Sequence, residues 1–198
     1  MTDDKIQNPQ DKEQIPNNNS DAQDMHSERP WFAIHYSSQY ENTVEKFFLD
    51  KNIGVYIPKQ YEELLVNGKI KKVLRPVVRN LLFVRKDKDE KSMLEIFSMC
   101  STPLWPIKKD DGTSLYEIRP LEMAEFQIMC NPDLYKTRFL SREEAILKKG
   151  DAVRVTHGPL KGLTGKLVRV QKQYYLMKSV PDISVLLKVS RWCCKPIE

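Results

Sequence analysis

The sequence has few of the residues from which catalytic, metal and disulfide sites are usually built. Its 198 residues include four cysteines and three histidines. No C-x-x-C zinc spacing occurs, and the adjacent pair Cys193 and Cys194 does not suit a structural disulfide framework. The H-E-x-x-H, phosphate-loop and G-x-S-x-G motifs are absent as well. We therefore expect free thiols in a reducing cytoplasm. We also expect that the protein has no cofactor, no metal site and no enzymatic activity.

Long apolar runs are also missing. No basic and apolar N-terminal segment resembles a signal peptide, and no run is long enough to span a bilayer. We expect a cytoplasmic protein without a membrane partner.

The first 29 residues contain almost no large apolar side chains and are rich in Asn, Gln, Asp and Pro. Such a segment cannot bury enough surface to offset the entropy of ordering, so 1–29 is predicted to be a disordered acidic tail. It contains three basic and seven acidic residues, which leaves 29 basic and 20 acidic residues, a net charge of +9, for the remainder. The positive charge of the residues after the tail favours a polyanionic partner such as nucleic acid. A surface whose charge only keeps the protein soluble would have the same composition.

Strands and helices alternate in residues 30–130, which predicts one α+β domain. Aromatic and apolar runs predict strands at 31–36 and 80–85, the second covered on both faces. Helical spacing follows Tyr40 and recurs in 88–100 and 120–129. Asn67-Gly68 predicts a hairpin turn.

Residues 131–147 have no clean period and are predicted to be a linker, whereas 148–198 shows short, evenly spaced strands typical of a small barrel. Between the first two strands lies GPLKGLTG, residues 158–165. Its glycines would supply backbone geometries for a tight reversal. We expect Tyr174, Tyr175 and Trp192 to be core residues rather than base-stacking platforms.

This glycine stretch, opened by Gly150-Asp151 and followed by Gly165-Lys166-Leu167-Val168, resembles the KOW motif of small SH3-like barrels. The stretch WFAIHYSSQYENTVEKF resembles the opening of the NusG N-terminal domain, and RPVVRNLLFVR and IRPLEMAEF are similar to later segments of that domain. The resemblance implies a NusG-type N-terminal α/β sandwich, residues 30–130, followed by an SH3-like KOW β-barrel, residues 148–198. Arg79 and Leu81 stand where the family usually has proline and tyrosine, which suggests a specialised paralogue of the RfaH and UpxY kind.

The resemblance implies a monomeric transcription elongation or antitermination factor for long operons of the capsular polysaccharide type. It would bind RNA polymerase at the clamp helices and hold the clamp closed. An exposed apolar patch would anchor it. The candidates for RNA polymerase binding are Tyr40, Val78, Leu82, Tyr36 and Phe32, although an apolar strand residue is more often core.

Basic residues in and after the hairpin would contact non-template or upstream DNA through phosphates. A charge run is equally typical of a solvated face, and the sequence does not decide between them. The candidate nucleic-acid-binding residues are Lys69, Lys71, Lys72, Arg75, Arg79 and Arg85.

The KOW barrel would dock a ribosomal protein or the termination factor Rho through an apolar edge at Leu160, Leu163 and Ile183. The alternative is a KOW-containing RNA-binding or ribosome-associated protein. It explains the charge and the glycine stretch equally well, but not the N-terminal segments in the family's order.

Overall fold

A computed structural model describes residues 28–66, 68–133 and 137–197. Apart from its last two residues, the predicted tail 1–29 lies outside the described residues. Asn67 of the predicted hairpin turn lies outside them too.

The first part of the chain forms an antiparallel sheet, two helices on one face, a third helix on the other and a separate hairpin. The sheet has the order β2-β5-β1-β6, and β7 also pairs with β1; β3 and β4 pair only with each other. The elements are β1 Trp31–Tyr36, α1 Glu41–Asp50, β2 Val55–Tyr56, β3 Lys59–Val66, β4 Lys69–Pro76, β5 Leu81–Arg85, α2 Glu90–Ser98, β6 Leu104–Pro106, β7 Glu117–Ile118 and α3 Pro120–Met129.

The first four residues of strand β5 are apolar because both faces of the strand are covered. Leu82 and Val84 pack with α1 and α2, while Leu81 and Phe83 face α3. All four side chains are buried. The prediction of a central strand covered on both faces is confirmed.

The helices begin at residues suited to their first turns. The Asp89 carboxylate accepts a hydrogen bond from the Ser92 backbone N–H at 3.0 Å and caps α2. Pro120 opens α3, where a missing N–H has no cost. The helix predicted within 88–100 is therefore present, shortened at both ends.

The last part of the chain forms a second antiparallel sheet in the order β13-β9-β10-β11-β12-β8. Its described strands do not close into a barrel, so the SH3-like barrel stays a prediction. The elements are β8 Arg138–Ser141, α4 Arg142–Ile146, β9 Gly150–Val155, β10 Thr164–Val170, β11 Gln173–Val180, β12 Ile183–Lys188 and β13 Cys194–Pro196.

The linker predicted over 131–147 needs correction, because residues 138–146 are structured. Strand β8 pairs with β12 along the edge of the second sheet. Ser141 then caps α4, accepting from the Glu144 N–H while the Glu144 carboxylate accepts from the Ser141 N–H. This segment belongs to the second sheet.

The turn between β9 and β10 uses its glycines as the sequence indicates. Gly158 and Gly162 have φ values of +84° and +99°, which side chains with a Cβ rarely adopt. The Gly162 N–H donates to the Val155 carbonyl at 2.8 Å and closes the turn. A chain reversal without a helix results.

Helix α3 lies between the two sheets. The Phe126 ring contacts Phe83 of β5, with 5.6 Å between ring centroids, while Glu125 bonds to residues of the second sheet. One cluster of buried side chains runs from the first sheet through α3 to Leu176 and Val185. The described residues therefore form a mixed α/β structure with a core common to both sheets.

Candidate functional site

The hairpin of β3 and β4 projects from the first sheet. Each strand has eight residues, which corresponds to about 26 Å of extended chain. Nearly all of β4 is exposed. A two-stranded hairpin is marginally stable alone in water, so this one depends on its attachment to the first sheet.

One face of this hairpin carries an apolar stripe that sequence reasoning missed. The register places Tyr61 opposite Leu74 and Leu65 opposite Ile70, and residues two apart on a strand share a face. Leu65 and Ile70 are 75% and 70% exposed. The alternation of these four residues was readable in the sequence, but which face would stay uncovered was not.

The basic residues of β4 divide between the two faces. Lys72 lies on the apolar face, opposite Glu63, whereas Lys69, Lys71 and Arg75 lie on the other. All four are exposed, as is Arg79 in the loop before β5. The predicted nucleic-acid-binding residues are thus brought together, except for Arg85.

Arg85 is a structural residue rather than part of that basic group. Its Nε donates to Asp87 Oδ1 at 2.8 Å, and the same carboxylate accepts from the Gly54 N–H and from Arg29. Burial acts to raise the pKa of Asp87, but these hydrogen bonds and the Arg85 charge outweigh it and hold the pKa below its ordinary value. The structure thus corrects the expectation that Arg85 faces nucleic acid.

An open cleft separates the base of the hairpin from the start of α1. It has a volume of about 520 Å³, and Arg75 and Arg79 line it together with Glu41, Glu62 and neighbouring polar groups. The Arg75 Nε lies 3.8 Å from the Glu62 carboxylate. Burial raises the pKa of Glu41, against the opposing effect of Lys59. The cleft therefore presents two guanidinium groups among carboxylates at a concave surface.

Two of the predicted polymerase-binding residues flank this region. Tyr40 ends the 3-10 turn before α1 and is 41% exposed. Val78 follows the hairpin and is half-buried against the common core. Both are accessible enough to contact a partner.

The other three predicted polymerase-binding residues are buried, which corrects the expectation of exposure. Phe32, Tyr36 and Leu82 belong to the core beneath α1 and α2. Burial, with the charges of Glu41 and Glu45, raises the pKa of the Tyr36 phenol. Its hydroxyl has no hydrogen-bond partner among the described residues. The apolar character of these strand residues did not reveal that helices cover the face on which they lie.

The apolar edge predicted for the second sheet is also largely internal. Leu163 and Ile183 are buried in the common core, and Leu160 is half-buried beside them. These side chains hold the sheet together in this conformation. The prediction of an exposed docking edge at Leu163 and Ile183 is therefore wrong for this conformation.

Polar contacts join the two sheets at the margin of the core. The buried Glu125 carboxylate of α3 accepts from the Thr164 N–H at 2.8 Å and from the Thr164 hydroxyl, and it pairs with Lys178. The His35 Nε2 lies 2.6 Å from the Asp182 carboxylate. These bonds fix the second sheet on α3 and on the end of β1.

Within the described ranges, no group of three or more His, Cys, Asp or Glu residues is placed to hold a metal ion. Nor does any helix there combine the length and apolar content needed to cross a membrane.

Comparison with known proteins shows what the first part of the chain is similar to. Residues 29–126 match the family model described as "Transcription termination factor nusG". A solved structure titled "Domain interaction in Thermotoga maritima NusG" is similar at 15% identity and a TM-score of 0.43, covering 86% of this chain and 98% of that one. Likeness at that level does not define a shared arrangement of the two sheets. No curated protein matches the chain.

Proposed function

Because residues 29–126 match the NusG family model, we propose that this protein is a transcription elongation and antitermination factor that binds the clamp helices of RNA polymerase. Transcription factors of this family bind RNA polymerase. A factor that contacts both sides of the main channel stabilises the closed clamp by binding it better than the open one. Pausing and termination accompany the open states, so such binding favours continued transcription. The family match over the first sheet and its helices is the observation that carries this proposal.

We assign the clamp contact to the surface around Tyr40 and Val78. Tyr40 is an exposed aromatic ring next to a concave surface, a common form of interface anchor. Arg75 and Arg79 lie in the same cleft and supply charge that steers an acidic partner. The buried Phe32, Tyr36 and Leu82 support this surface from beneath.

The hairpin makes the second contact across the channel. Its apolar stripe, centred on Leu65 and Ile70, suits a protein surface. Its opposite face carries Lys69 and Lys71, which suit the phosphates of non-template or upstream DNA. A two-faced hairpin can therefore reach polymerase and DNA together.

The second sheet is proposed to be the KOW domain, with a ribosomal protein or Rho as its partner. Leu160 is the accessible member of the predicted contact. Use of Leu163 and Ile183 would require the second sheet to leave α3, because both lie in the common core. The departures at Arg79 and Leu81 support a specialised paralogue serving long operons of the capsular polysaccharide type.

Co-purification of the full chain with core RNA polymerase tests this function. Tyr40→Ala is expected to weaken binding about tenfold or more, as loss of an aromatic anchor does. Tyr116→Ala is the matched control, because Tyr116 is 42% exposed against 41% for Tyr40. Val78→Asp should also weaken binding, provided that circular dichroism shows the native fold.

If Tyr40→Ala and Tyr116→Ala weaken polymerase binding equally, the assignment of the clamp contact to the surface around Tyr40 is wrong. Retention of the unmutated protein on ribosomes or RNA, with none on polymerase, would overturn the elongation-factor proposal and favour the KOW-containing RNA-binding alternative.

A further inference from the structure

Two adjacent cysteines, Cys193 and Cys194, lie where a 3-10 turn ends and β13 begins. Both thiols contact one oxygen atom. The Cys193 Sγ donates to the Ser190 carbonyl at 2.8 Å, and the Cys194 Sγ donates to the same carbonyl at 3.7 Å. Both side chains also pack in or against the common core. The two sulfur atoms therefore lie on the same side of the chain and close to each other.

The pair is shielded from solvent but can be reached at one of its two thiols. Cys193 is buried and Cys194 is half-buried, so Cys194 is the thiol that a small molecule meets first. Burial, followed by the charge of the Cys193 thiol and a hydrogen bond with it, raises the pKa of Cys194 to about 11. A thiol with a high pKa reacts slowly at neutral pH, because the thiolate is the nucleophile. We therefore expect the pair to stay reduced unless an oxidant persists.

The residues on either side of the pair are exposed. Trp192 is 75% exposed, contrary to the expectation that it is a core residue. In the same sheet Tyr175 is buried as expected, whereas Tyr174 is half-buried. Arg191 and Lys195 place exposed positive charges before and after the pair. A small anionic molecule is therefore attracted to this part of the surface.

A disulfide between neighbouring residues is strained. Adjacent Cα atoms are about 3.8 Å apart across a trans peptide, whereas disulfides usually join Cα atoms about 4.4–6.8 Å apart. Such strain makes a disulfide easier to reduce, and strained disulfides are the labile or regulatory ones. A bond between Cys193 and Cys194 would therefore be labile rather than structural.

The peptide that joins the two cysteines also holds the start of β13. Its carbonyl, that of Cys193, accepts from the Thr156 N–H at 2.7 Å and from the Thr156 hydroxyl at 3.0 Å. Thr156 follows β9, the strand with which β13 pairs. A ring closed through both sulfur atoms contains this peptide, so its closure has to twist the peptide and move its carbonyl. Oxidation would therefore loosen the start of β13 from the end of β9.

We propose that Cys193 and Cys194 form a reversible redox site that exchanges with a low-molecular-weight disulfide such as oxidised glutathione. The Cys194 thiolate attacks one sulfur of the reagent and releases the first small thiol. The Cys193 thiolate then attacks the Cys194 sulfur of the mixed disulfide and releases the second. The protein thiols lose two electrons and two protons, which the reagent gains as it becomes two thiols. Reduced glutathione opens the Cys193–Cys194 disulfide by the reverse steps.

Mass spectrometry of the full chain after incubation with oxidised glutathione tests the site. The unmutated chain is expected to lose the mass of two hydrogen atoms, and peptide mapping should place the bond between Cys193 and Cys194. An excess of reduced glutathione should restore the original mass. The reaction should be about tenfold faster at about pH 8.5 than at about pH 7.5, because the thiolate fraction of Cys194 rises tenfold for each pH unit below its pKa.

Three serine variants separate the roles of the thiols. Cys194→Ser is the main variant, because this side chain is only half-buried, and it should abolish the loss of two hydrogen atoms. Cys193→Ser should stop at a glutathione adduct on Cys194, since the attacking thiol is present and the resolving thiol is missing. Cys100→Ser is the matched control, because Cys100 is also a half-buried free thiol, and it should oxidise as the unmutated chain does.

Hydrogen exchange at Thr156 measures the structural consequence. The Thr156 amide is expected to exchange about fivefold to tenfold faster in the oxidised chain, because it loses its hydrogen bond to Cys193. The Ile107 N–H, which donates to the Ala33 carbonyl at 2.9 Å in the first sheet, should exchange at an unchanged rate. Equal exchange at Thr156 in the two redox states would overturn the inferred loosening of β13.

Other results would overturn the site itself. One is a chain that keeps both thiols after prolonged incubation at about pH 8.5. A bond from either cysteine to Cys100 or Cys130, a disulfide-linked dimer or a glutathione adduct that persists on the unmutated chain would also exclude it. So would a Cys193–Cys194 disulfide that resists excess reduced glutathione, because such a bond is not reversible.

Discussion

The ion pair of Glu125 and Lys178 offers a direct test of how firmly the second sheet is fixed to α3. The carboxylate is buried, and the two Thr164 donors occupy its remaining acceptor positions. The Lys178 ammonium is also largely removed from solvent. Removing one member of such a pair leaves the other buried without its counter-charge.

The expected cost of Glu125→Ala is about 3–5 kcal/mol in the free energy of unfolding, the range for breaking one side of a buried pair. Lys178→Ala should cost somewhat less, because Thr164 still satisfies the carboxylate. The double variant should be less destabilised than the sum of the two, by about 1–3 kcal/mol of coupling. The pair Arg119–Glu122, on the same helix but exposed at the arginine, should contribute about 1 kcal/mol or less.

Urea denaturation of the full chain measures these values, with Arg119→Ala, at the residue before α3, as the control. Additive losses in the double variant, or a cost below about 1 kcal/mol for Glu125→Ala, would refute the reasoning. Either result would mean that the Glu125–Lys178 pair does not help to hold the second sheet on α3.

Three further changes have defined outcomes. Gly165→Ala would place a Cβ 2.6 Å from the Met177 carbonyl oxygen, so it should destabilise the second sheet by about 1–3 kcal/mol in urea denaturation. Gln171→Asn with Lys172→Gly suits the positive φ values of the β10–β11 turn and should raise stability by about 1 kcal/mol, measured as a higher Tm. Asp87 has a pKa below its ordinary value, so its contribution is present above about pH 4 and is lost as the pH falls through the folded-state pKa; the stability difference between wild type and Asp87→Asn should shrink on acidification.

Controls make each of these changes specific. Gly112, unlike Gly165, has a positive φ of +70°, and no atom lies within 4 Å of its Cβ, so Gly112→Ala should show conformational strain without a clash. A Tm unchanged by the turn substitutions would mean that the β10–β11 turn is not strained. Asp50→Asn, at the exposed end of α1, is the control for loss of a surface carboxylate. An unchanged stability difference for Asp87→Asn between about pH 6 and about pH 3 would contradict the proposed network.

Local pattern predicted the elements of this fold better than it predicted which faces are open. The periodicity of 31–36, 80–85 and 120–129 predicted strands and a helix because spacing and turn residues are local properties. Exposure depends on what packs on each face. Since β1 and β5 are covered on both faces, alternation could not distinguish core from interface for Phe32 or Leu82.

The same limit explains why the predictions for Trp192 and Leu163 were wrong. Trp192 was expected in the core but is exposed, and Leu163 was expected on an open edge but is buried. Both are large apolar residues in a segment of short strands. Hydrophobicity alone does not show which of the two side chains is buried and which is exposed. Leu163 packs in the core that α3 shares with both sheets. Trp192 lies in the 3-10 turn after β12, which a hydrogen bond from the Thr156 hydroxyl to the Cys193 carbonyl fixes, and its side chain is exposed. The basic hairpin, by contrast, was predictable because its charges and its turn signal lie close together in sequence.

Strand β8 has a consequence for how the protein can be divided. It covers one edge of β12, and α4 packs over a small cluster that includes Tyr175 and Leu186. A fragment that starts at Lys148 would leave β12 with unpaired backbone groups beside bare apolar side chains, a template for pairing with another chain. The piece most able to stay monomeric begins before Arg138, so the boundary between the halves lies upstream of β8.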